Sequence, residues 1–520
     1  MKKERHTATQ LINDIVIIGG GTAGWLSAGL IAAKRSNYVQ SANLTVTLIE
    51  SPTIKTIGVG EGTWPSMRST LQQIGIDETE FITTCNVSLK QGSKFVGWRD
   101  GTLSDSYYHP FVTPTGYYQH DLYANWKTIA PNVSFADFVS AQSVVCDAQK
   151  SPKQFATPDY ASVLNYGYHL DAGKFAELLK YHCINKLKVR FICDDVTHIQ
   201  NNDNGDITSV QTNSSGHLKG DFFIDCSGMH GLLIDKHFKT SIKKCDDVLF
   251  NNTAIATHLH CAKGAQDIAS ATVATAQEAG WTWDIALQNR RGIGYTFSNK
   301  HSNDDAAAAV LRRYITLQAD AKTARDCEFK KISFTPGYRE KFWVNNCLAI
   351  GMSAGFFEPL EASALAMVEL SLTMLTDEFP SDRQHMDILQ KRFNKRFEYR
   401  WQRVVDFLKL HYVFNQRNEA YWHDAKALET VPDSLQDLIQ LWHYQPPNRH
   451  DLNQNEEVFP SASYQYVLYG LGFEPIQHKV LDQQQLTNAQ ALWQQNIERQ
   501  QRYLQGLPTN RALVEHLRIR

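Results

Sequence analysis

At 520 residues the chain is too long for one ordinary hydrophobic core, so two or more substructures sharing a large interior are expected. Its 52 Lys and Arg residues stand against 54 Asp and Glu, a balance that argues against a general nucleic-acid or anionic-membrane binder and leaves room for a small anion held by local geometry. Nine cysteines without a CxxC pair or zinc-ligand spacing indicate neither a disulfide scaffold nor a metal site, and the polar opening MKKERHTATQ, with no run of about 18 apolar residues after it, gives a reducing cytoplasm as the expected setting.

The first element in chain order lies in DIVIIGGGTAGWLSAGLIAAKR, residues 14–35. Ile15 to Ile18 make an apolar run fit for a buried parallel strand, Gly19, Gly21 and Gly24 have the GxGxxG spacing, and Leu26 to Ala33 continue as a small-residue helix. Glycines are required at such a turn because the backbone must approach a pyrophosphate closely, and the N–H groups at the helix start then face its charge. The next strand, LTVTLIE, ends at Glu50, placed to accept a hydrogen bond from a ribose hydroxyl. The pattern is that of a dinucleotide site, and FAD and NAD share it.

Later segments favour FAD. KGDFFIDCSG, residues 219–228, is a strand leading to an Asp and a Gly, and FWVNNCLAIGMSAGFFEPLEASA, residues 342–364, is a strand entering a small-residue turn and then a helix. Widely separated strand-to-glycine segments of this kind resemble the discontinuous flavin fold of aromatic hydroxylases. Between them, GWTWDIA at 280–286 reads as a strand on which Trp281, Trp283 and Ile285 share one face, either as a pair of core aromatics or as a wall. No second GxGxxG lies between a strand and a helix, so reduction of the flavin is assigned to a separate reductase. From about residue 381 the chain reads as helices. In TNAQALWQQNIERQQRYLQGLP a Thr487/Gln490 capping box is expected to start a helix that carries Ala489, Trp493 and Ile497 on one face and stops at Gly506. The expected fold is α/β, an FAD-binding Rossmann-like module over 1–380 with substrate-facing β-sheet insertions at about 90–155 and 245–340, completed by a mainly helical region over 381–520.

GGGTAGW, GVGEGTWPS at 58–66, NVSLKQGSKFVGWR at 86–99, GWTWDIA and FFEPLEASA at 356–364 together resemble the flavin-dependent tryptophan halogenase family, in matching order over about residues 12–415. The family form of the heptapeptide is GWxWxIP, and Ala286 stands where the proline is expected. The resemblance implies that the two indoles form a partition keeping organic substrate away from the flavin. It also implies Lys90 as the active-site lysine, with Lys94 as an internal comparison, and Glu361 as the acid beside it. By residue type alone, a lysine is usually solvated, and Glu358 and Glu361 would suit the start of the helical run LAMVELSLTML. An amine can hydrogen-bond hypohalous acid or become a haloamine, and a nearby carboxylate can stabilise a cationic ring and take up its proton. After Glu361 the family has Ser-Thr-Gly where this chain has Ala362, Ser363 and Ala364, so Ser363 and the Ala364 N–H would take the halide position.

The resemblance further places His109 and Phe111 against the substrate, and around the cofactor it places Gly20, Thr22, Ala23, Glu50, Ser51, Ile54, Val59, Gly62, Val196, Met352 and Leu365 beside the glycines already named. Tryptophan-specific relatives carry a C-terminal clasp of tyrosines, a glutamate and a tryptophan for the amino-acid moiety; residues 455–475 are shorter and offer Tyr464, Tyr466 and Tyr469. The reading is an FADH2-dependent halogenase that makes hypohalous acid from flavin hydroperoxide and chloride or bromide and substitutes an indole-like ring. A flavin-dependent aromatic monooxygenase and a non-catalytic FAD-binding protein remain the alternatives. O2 and a separate flavin reductase are the expected co-reactant and partner, no nucleic acid or membrane partner is expected, and the oligomeric state is left open, a homodimer included.

Overall fold

The structure is a computed structural model that describes residues 11–519 other than 42, 55–60, 103, 261–266, 455 and 477–478. The apolar run after Asp14 forms the strand Asp14–Ile18, whose last four residues are buried on both faces as a central parallel strand requires. It pairs in parallel with Thr45–Glu50 on one side and Phe222–Asp225 on the other, with Ile18 opposite both Ile49 and Asp225. Arg190–Cys193 extends one side and Cys347–Ala349 the other, and a short antiparallel strand, Trp343–Val344, completes the six-stranded sheet. The chain leaves the first strand through Gly19, at φ 118°, and enters the helix Thr22–Lys34 at once. A Cβ on Gly24 would lie 1.8 Å from the Gly19 carbonyl oxygen, so glycine at that position lets the helix press against the turn.

A second sheet has seven strands in the order Lys330–Ser333, Thr253–His260, Arg290–Phe297, Gly280–Ala286, Thr272–Gln277, Gly92–Val96 and Ser106–Pro110. Two stretches far apart in sequence therefore join edge to edge, with Thr272–Gln277 pairing in parallel with Gly92–Val96. A small sheet of Glu61–Gly62, Gly167–Leu170 and Ser88–Lys90 brings Lys90 next to the loop that follows the dinucleotide motif.

The C-terminal region is helical, beginning with the 31-residue helix Arg383–Val413. Phe393, Phe397, Trp401, Val404 and Leu408 recur at three- and four-residue spacing along its buried stripe, with Phe393 and Phe397 stacked at 4.1 Å. The last long helix is Gln483–Gly506 and starts at an Asp482/Gln485 capping box. The expected Thr487/Gln490 box lies inside it: the Thr487 hydroxyl donates to the Gln483 carbonyl, the back-bond of a mid-helix threonine, because Asp482 five residues earlier is the stronger cap. One continuous apolar cluster runs from Ile12 through both sheets to Leu517. Among the described residues no helix is long and apolar enough to cross a membrane.

Candidate active site

One large cavity, about 600 Å3, opens along the C-terminal ends of the parallel strands and runs to the face of the seven-stranded sheet. Gly19, Gly20, Gly21, Thr22 and Ala23 line one end, with Glu50, Ser51 and Ile54, then Asp194 to Val196 and Cys226 to Gly228. The helix Thr22–Lys34 has Gly21 as its N-cap with no side-chain cap, and a Cβ on Gly21 would meet nothing within 4 Å. A Cβ on Gly19 would come within 2.2 Å of the Cys226 carbonyl oxygen and one on Gly20 within 2.3 Å of Glu50. The turn is thus a bare backbone cradle at an uncapped helix start, the form that fits the pyrophosphate of a dinucleotide. Glu50 binds Lys180 at 2.7 Å from the cavity edge. Ser51 accepts from the N–H groups of Thr53 and Ile54.

At the other end Lys90 is 1% exposed, and its Nζ has no hydrogen-bond partner among the described residues. It lies over the Phe111 ring at 5.4 Å and faces Gly62, where a Cβ would be only 3.1 Å from Nζ. Burial lowers its pKa to about 8, with Glu361 pulling the other way. Glu361 is flanked by two imidazoles: His109 Nδ1 hydrogen-bonds Oε1 at 2.8 Å, and His411 Nε2 lies 3.4 Å from the same oxygen, outside hydrogen-bond geometry. Oε2 has Ser93 Oγ at 3.5 Å and is the freer oxygen. Burial pushes the Glu361 carboxyl up, and the His109 and His411 imidazoles outweigh it and hold it well below the usual carboxylate range. Tyr107 OH is 2.7 Å from His411 Nδ1 and fixes the second ring. Burial pushes His411 down, so its neutral form is favoured.

The backbone carrying Glu361 is unusual. Glu361 and Ala362 have φ 62° and 54°, two successive left-handed non-glycine residues, each costing on the order of 1 to 2 kcal/mol. The Trp64 indole N–H donates to the Glu361 carbonyl at 2.8 Å and braces this turn. The helix Ser363–Asp377 then starts with Ala362 as N-cap and no side-chain cap, and Ala362, Ser363, Ala364 and Leu365 all line the cavity, as does Met352 from the preceding turn.

The third wall is the strand Gly280–Ala286. Trp281, Trp283 and Ile285 face the cavity side by side, the two indoles 6.2 Å apart, while Asp284 on the opposite face pairs with Arg291. Trp283 lies flat over Gly294 of the neighbouring strand, where a Cβ would sit 2.0 Å from the ring.

The structure therefore gathers Lys90, Glu361, Ser363, Ala364, Trp281, Trp283, Gly62, Met352, Leu365 and Val196 around one cavity. Gly24 serves helix packing instead of lining it. His109, expected with Phe111 against the substrate, belongs to the strand Ser106–Pro110; it and Phe111 stand behind Glu361 and Lys90 and are not among the cavity-lining residues. Val59 and the start of GVGEGTWPS lie outside the described residues. Tyr464, Tyr466 and Tyr469, the clasp candidates, are all buried on the helix Ser461–Gly470. Tyr466 OH donates to the Val112 carbonyl and Tyr469 packs on Tyr123 and Phe135, because this helix supplies core rather than cavity surface. Sequence reading missed His411, Tyr107 and His169, whose Nε2 lies 2.7 Å from Thr272 Oγ1 beside Lys90. No local pattern marks them: each looks like an ordinary helix or strand residue until the chain is folded.

Parallel sheet, glycine cradle and cavity define an enzyme with an FAD-binding Rossmann-like fold. The chain belongs to the tryptophan halogenase family, whose model matches residues 14–486. It is 32% identical over 496 residues to the tryptophan 7-halogenase RebH of Lentzea aerocolonigenes, covering 89% of this chain and 90% of that protein. A solved tryptophan halogenase from Shewanella frigidimarina superposes with a TM-score of 0.93 at 45% identity over 98% of both chains. BrvH, a flavin-dependent halogenase from Brevundimonas sp. BAL3, does so at 0.83 and 28% over 97% of this chain and 99% of that one.

Proposed function

We propose that this enzyme halogenates an indole-like aromatic, with Lys90 handling the electrophilic halogen and Glu361 serving the ring. The observation that carries the reading is the buried Lys90 amine, without a hydrogen-bond partner among the described residues, facing a cavity closed on another side by Trp281 and Trp283, with Glu361 at its flank. The residues fit FAD: Gly19 to Ala23 would hold its pyrophosphate, Glu50 its ribose, the Asp194–Val196 segment its adenine end, and Met352 and Leu365 its ring. Bound reduced flavin, supplied by a separate reductase, provides with O2 the oxidising power that converts chloride or bromide to hypohalous acid.

The uncapped N–H groups at the start of Ser363–Asp377 favour a halide ion there. Trp281 and Trp283 exclude water and substrate from the cofactor side. Lys90 as ammonium donates a hydrogen bond to the hypohalous acid; as free amine it attacks the halogen, forming N–X while O–X breaks and the amine proton leaves with the oxygen as water. Glu361, kept ionised by His109 and His411, stabilises the cationic ring and takes its proton on Oε2, the oxygen the imidazoles leave free.

The amino and carboxylate groups of free tryptophan would lose water without the tyrosine partners that relatives use, about 1 to 3 kcal/mol per unpaired group. Indole or a larger indole-bearing molecule is therefore the expected substrate. Incubating an equimolar mixture of indole and tryptophan with enzyme, FAD, flavin reductase, O2 and each halide, and reading products by mass spectrometry, decides it. Faster consumption of tryptophan, at one ring position, would overturn the assignment.

A further inference from the structure

The indole of Trp281 is not simply packed in place. Its Nε1 donates to Glu358 Oε2 at 2.6 Å, and Glu358 is itself 3% exposed and lines the same cavity. Two further donors fix that carboxyl: Asn251 Nδ2 at 2.5 Å on Oε2, and the Tyr412 hydroxyl at 2.8 and 2.9 Å on the two oxygens. Asn251 is held in turn by the Tyr421 hydroxyl at 3.0 Å. The two indoles of the wall are thus secured by different means. Trp283 lies over a glycine, a steric seat, whereas Trp281 is tied to a buried acid. That acid stands three residues before Glu361, in the short segment that also forms the left-handed turn at Glu361 and Ala362.

We propose that Glu358 is a positioning residue for the partition: clamped by Asn251 and Tyr412, it fixes the Trp281 ring through the indole N–H and so determines how much of the halogen oxidised in the cavity reaches Lys90. The inference rests on the halogenase reading for its functional half; the hydrogen bond itself is independent of it. A side chain that keeps an acceptor should preserve the seat. A glutamine at 358 can accept from Trp281 and Asn251 on its oxygen and donate to the Tyr412 hydroxyl, whereas a methionine of similar size removes the acceptor from Trp281 and Tyr412 and leaves Asn251 Nδ2 only the Tyr412 hydroxyl at 3.3 Å.

The test uses Glu358→Gln, Glu358→Met, Trp281→Phe and the double variant Glu358→Met/Trp281→Phe. In the FAD-free protein, the indole N–H-sensitive Raman band of Trp281, isolated by subtracting Trp281→Phe spectra in the same background, should report a strong hydrogen bond in the parent and in Glu358→Gln and a lost one in Glu358→Met. With FAD, reductase, halide and indole, the ratio of halogenated product to released hydrogen peroxide should fall at least fivefold in Glu358→Met and in Trp281→Phe. It should be largely recovered in Glu358→Gln and be no lower in the double variant than in either single one, while FAD affinity stays within about threefold. A Raman band unchanged by Glu358→Met, equal losses of the ratio in the Gln and Met variants, or multiplied losses in the double variant would overturn the proposal. If the parent halogenates no aromatic at all, the functional reading fails, and the Raman comparison still decides whether Glu358 holds Trp281.

Discussion

Lys90 and Lys94 sit four residues apart on successive strands that belong to different sheets, and they meet opposite surroundings. Lys90 is sealed against Gly62 and Phe111, while Lys94 forms a 2.7 Å ion pair with a half-exposed Asp147. Lys90→Ala should lower halogenation on the order of 100-fold or more while FAD still binds, and Lys94→Ala should retain most of it, since exposed pairs contribute little. Equal losses in product assays would remove the distinction. Burial also makes Lys90 a pH probe. Its pKa falls from 10.5 unfolded to about 8 folded, so between those values the unfolded chain binds the extra proton and stability rises with pH. Lys409, pushed down to about 7 by burial, acts in the same direction. Buried cysteines and tyrosines, whose pKa values burial raises, act oppositely in parent and variant alike. Stability in urea unfolding at pH 7.5 and 9.5 should therefore change less favourably with rising pH in Lys90→Met than in the parent. An equal pH dependence in both would mean that Lys90 carries no such shift.

At the scale of elements, two backbone features carry the site, and they respond oppositely to a methyl group. Gly19, at φ 118°, leaves 2.2 Å for a Cβ against the Cys226 carbonyl, so Gly19→Ala should abolish FAD binding and lower the melting temperature. Ala362, at φ 54°, already pays for a left-handed conformation, so Ala362→Gly should stabilise the apoprotein by about 0.5 to 1 kcal/mol in chemical denaturation. A destabilised Ala362→Gly would show that the alanine methyl group makes contacts worth more than the strain. The turn it belongs to is anchored from outside by Trp64 on Glu361 and by Trp281 on Glu358. Strain there is sustained because neighbouring elements over-determine it.

Over the whole molecule, the parallel sheet offers one cradle of this type among the described residues, at Gly19 to Ala23, and the sequence has no second GxGxxG between a strand and a helix. NADH alone should therefore fail to bleach enzyme-bound FAD at a useful rate, and a flavin reductase should restore turnover. Rapid anaerobic bleaching by NADH without reductase, followed at the flavin absorbance, would contradict this. The long helix Arg383–Val413 makes the C-terminal region part of the candidate site, because it delivers His411 to Glu361 and Tyr412 to Glu358. The division at residue 380 is best regarded as a proposal about chain order, since the apolar interior is continuous across it.

Local pattern alone determined the first strand, its glycine turn and helix, the acid closing the second strand, and the shared face of Trp281, Trp283 and Ile285, because strand period and glycine geometry act over a few residues. The start of Gln483–Gly506 was misjudged by five residues even so, since two capping pairs compete in one polar run and only the formed helix chooses between them. Tertiary structure alone decided the rest. That Lys90 has no hydrogen-bond partner among the described residues, that His109 and His411 converge on one oxygen of Glu361 from positions 302 residues apart in number, and that Glu358 reaches an indole 77 residues away all depend on which strands and helices meet. Burial, hydrogen-bond pairing and the pKa shifts they cause belong to the assembled surroundings of a side chain and are not written in its immediate neighbours.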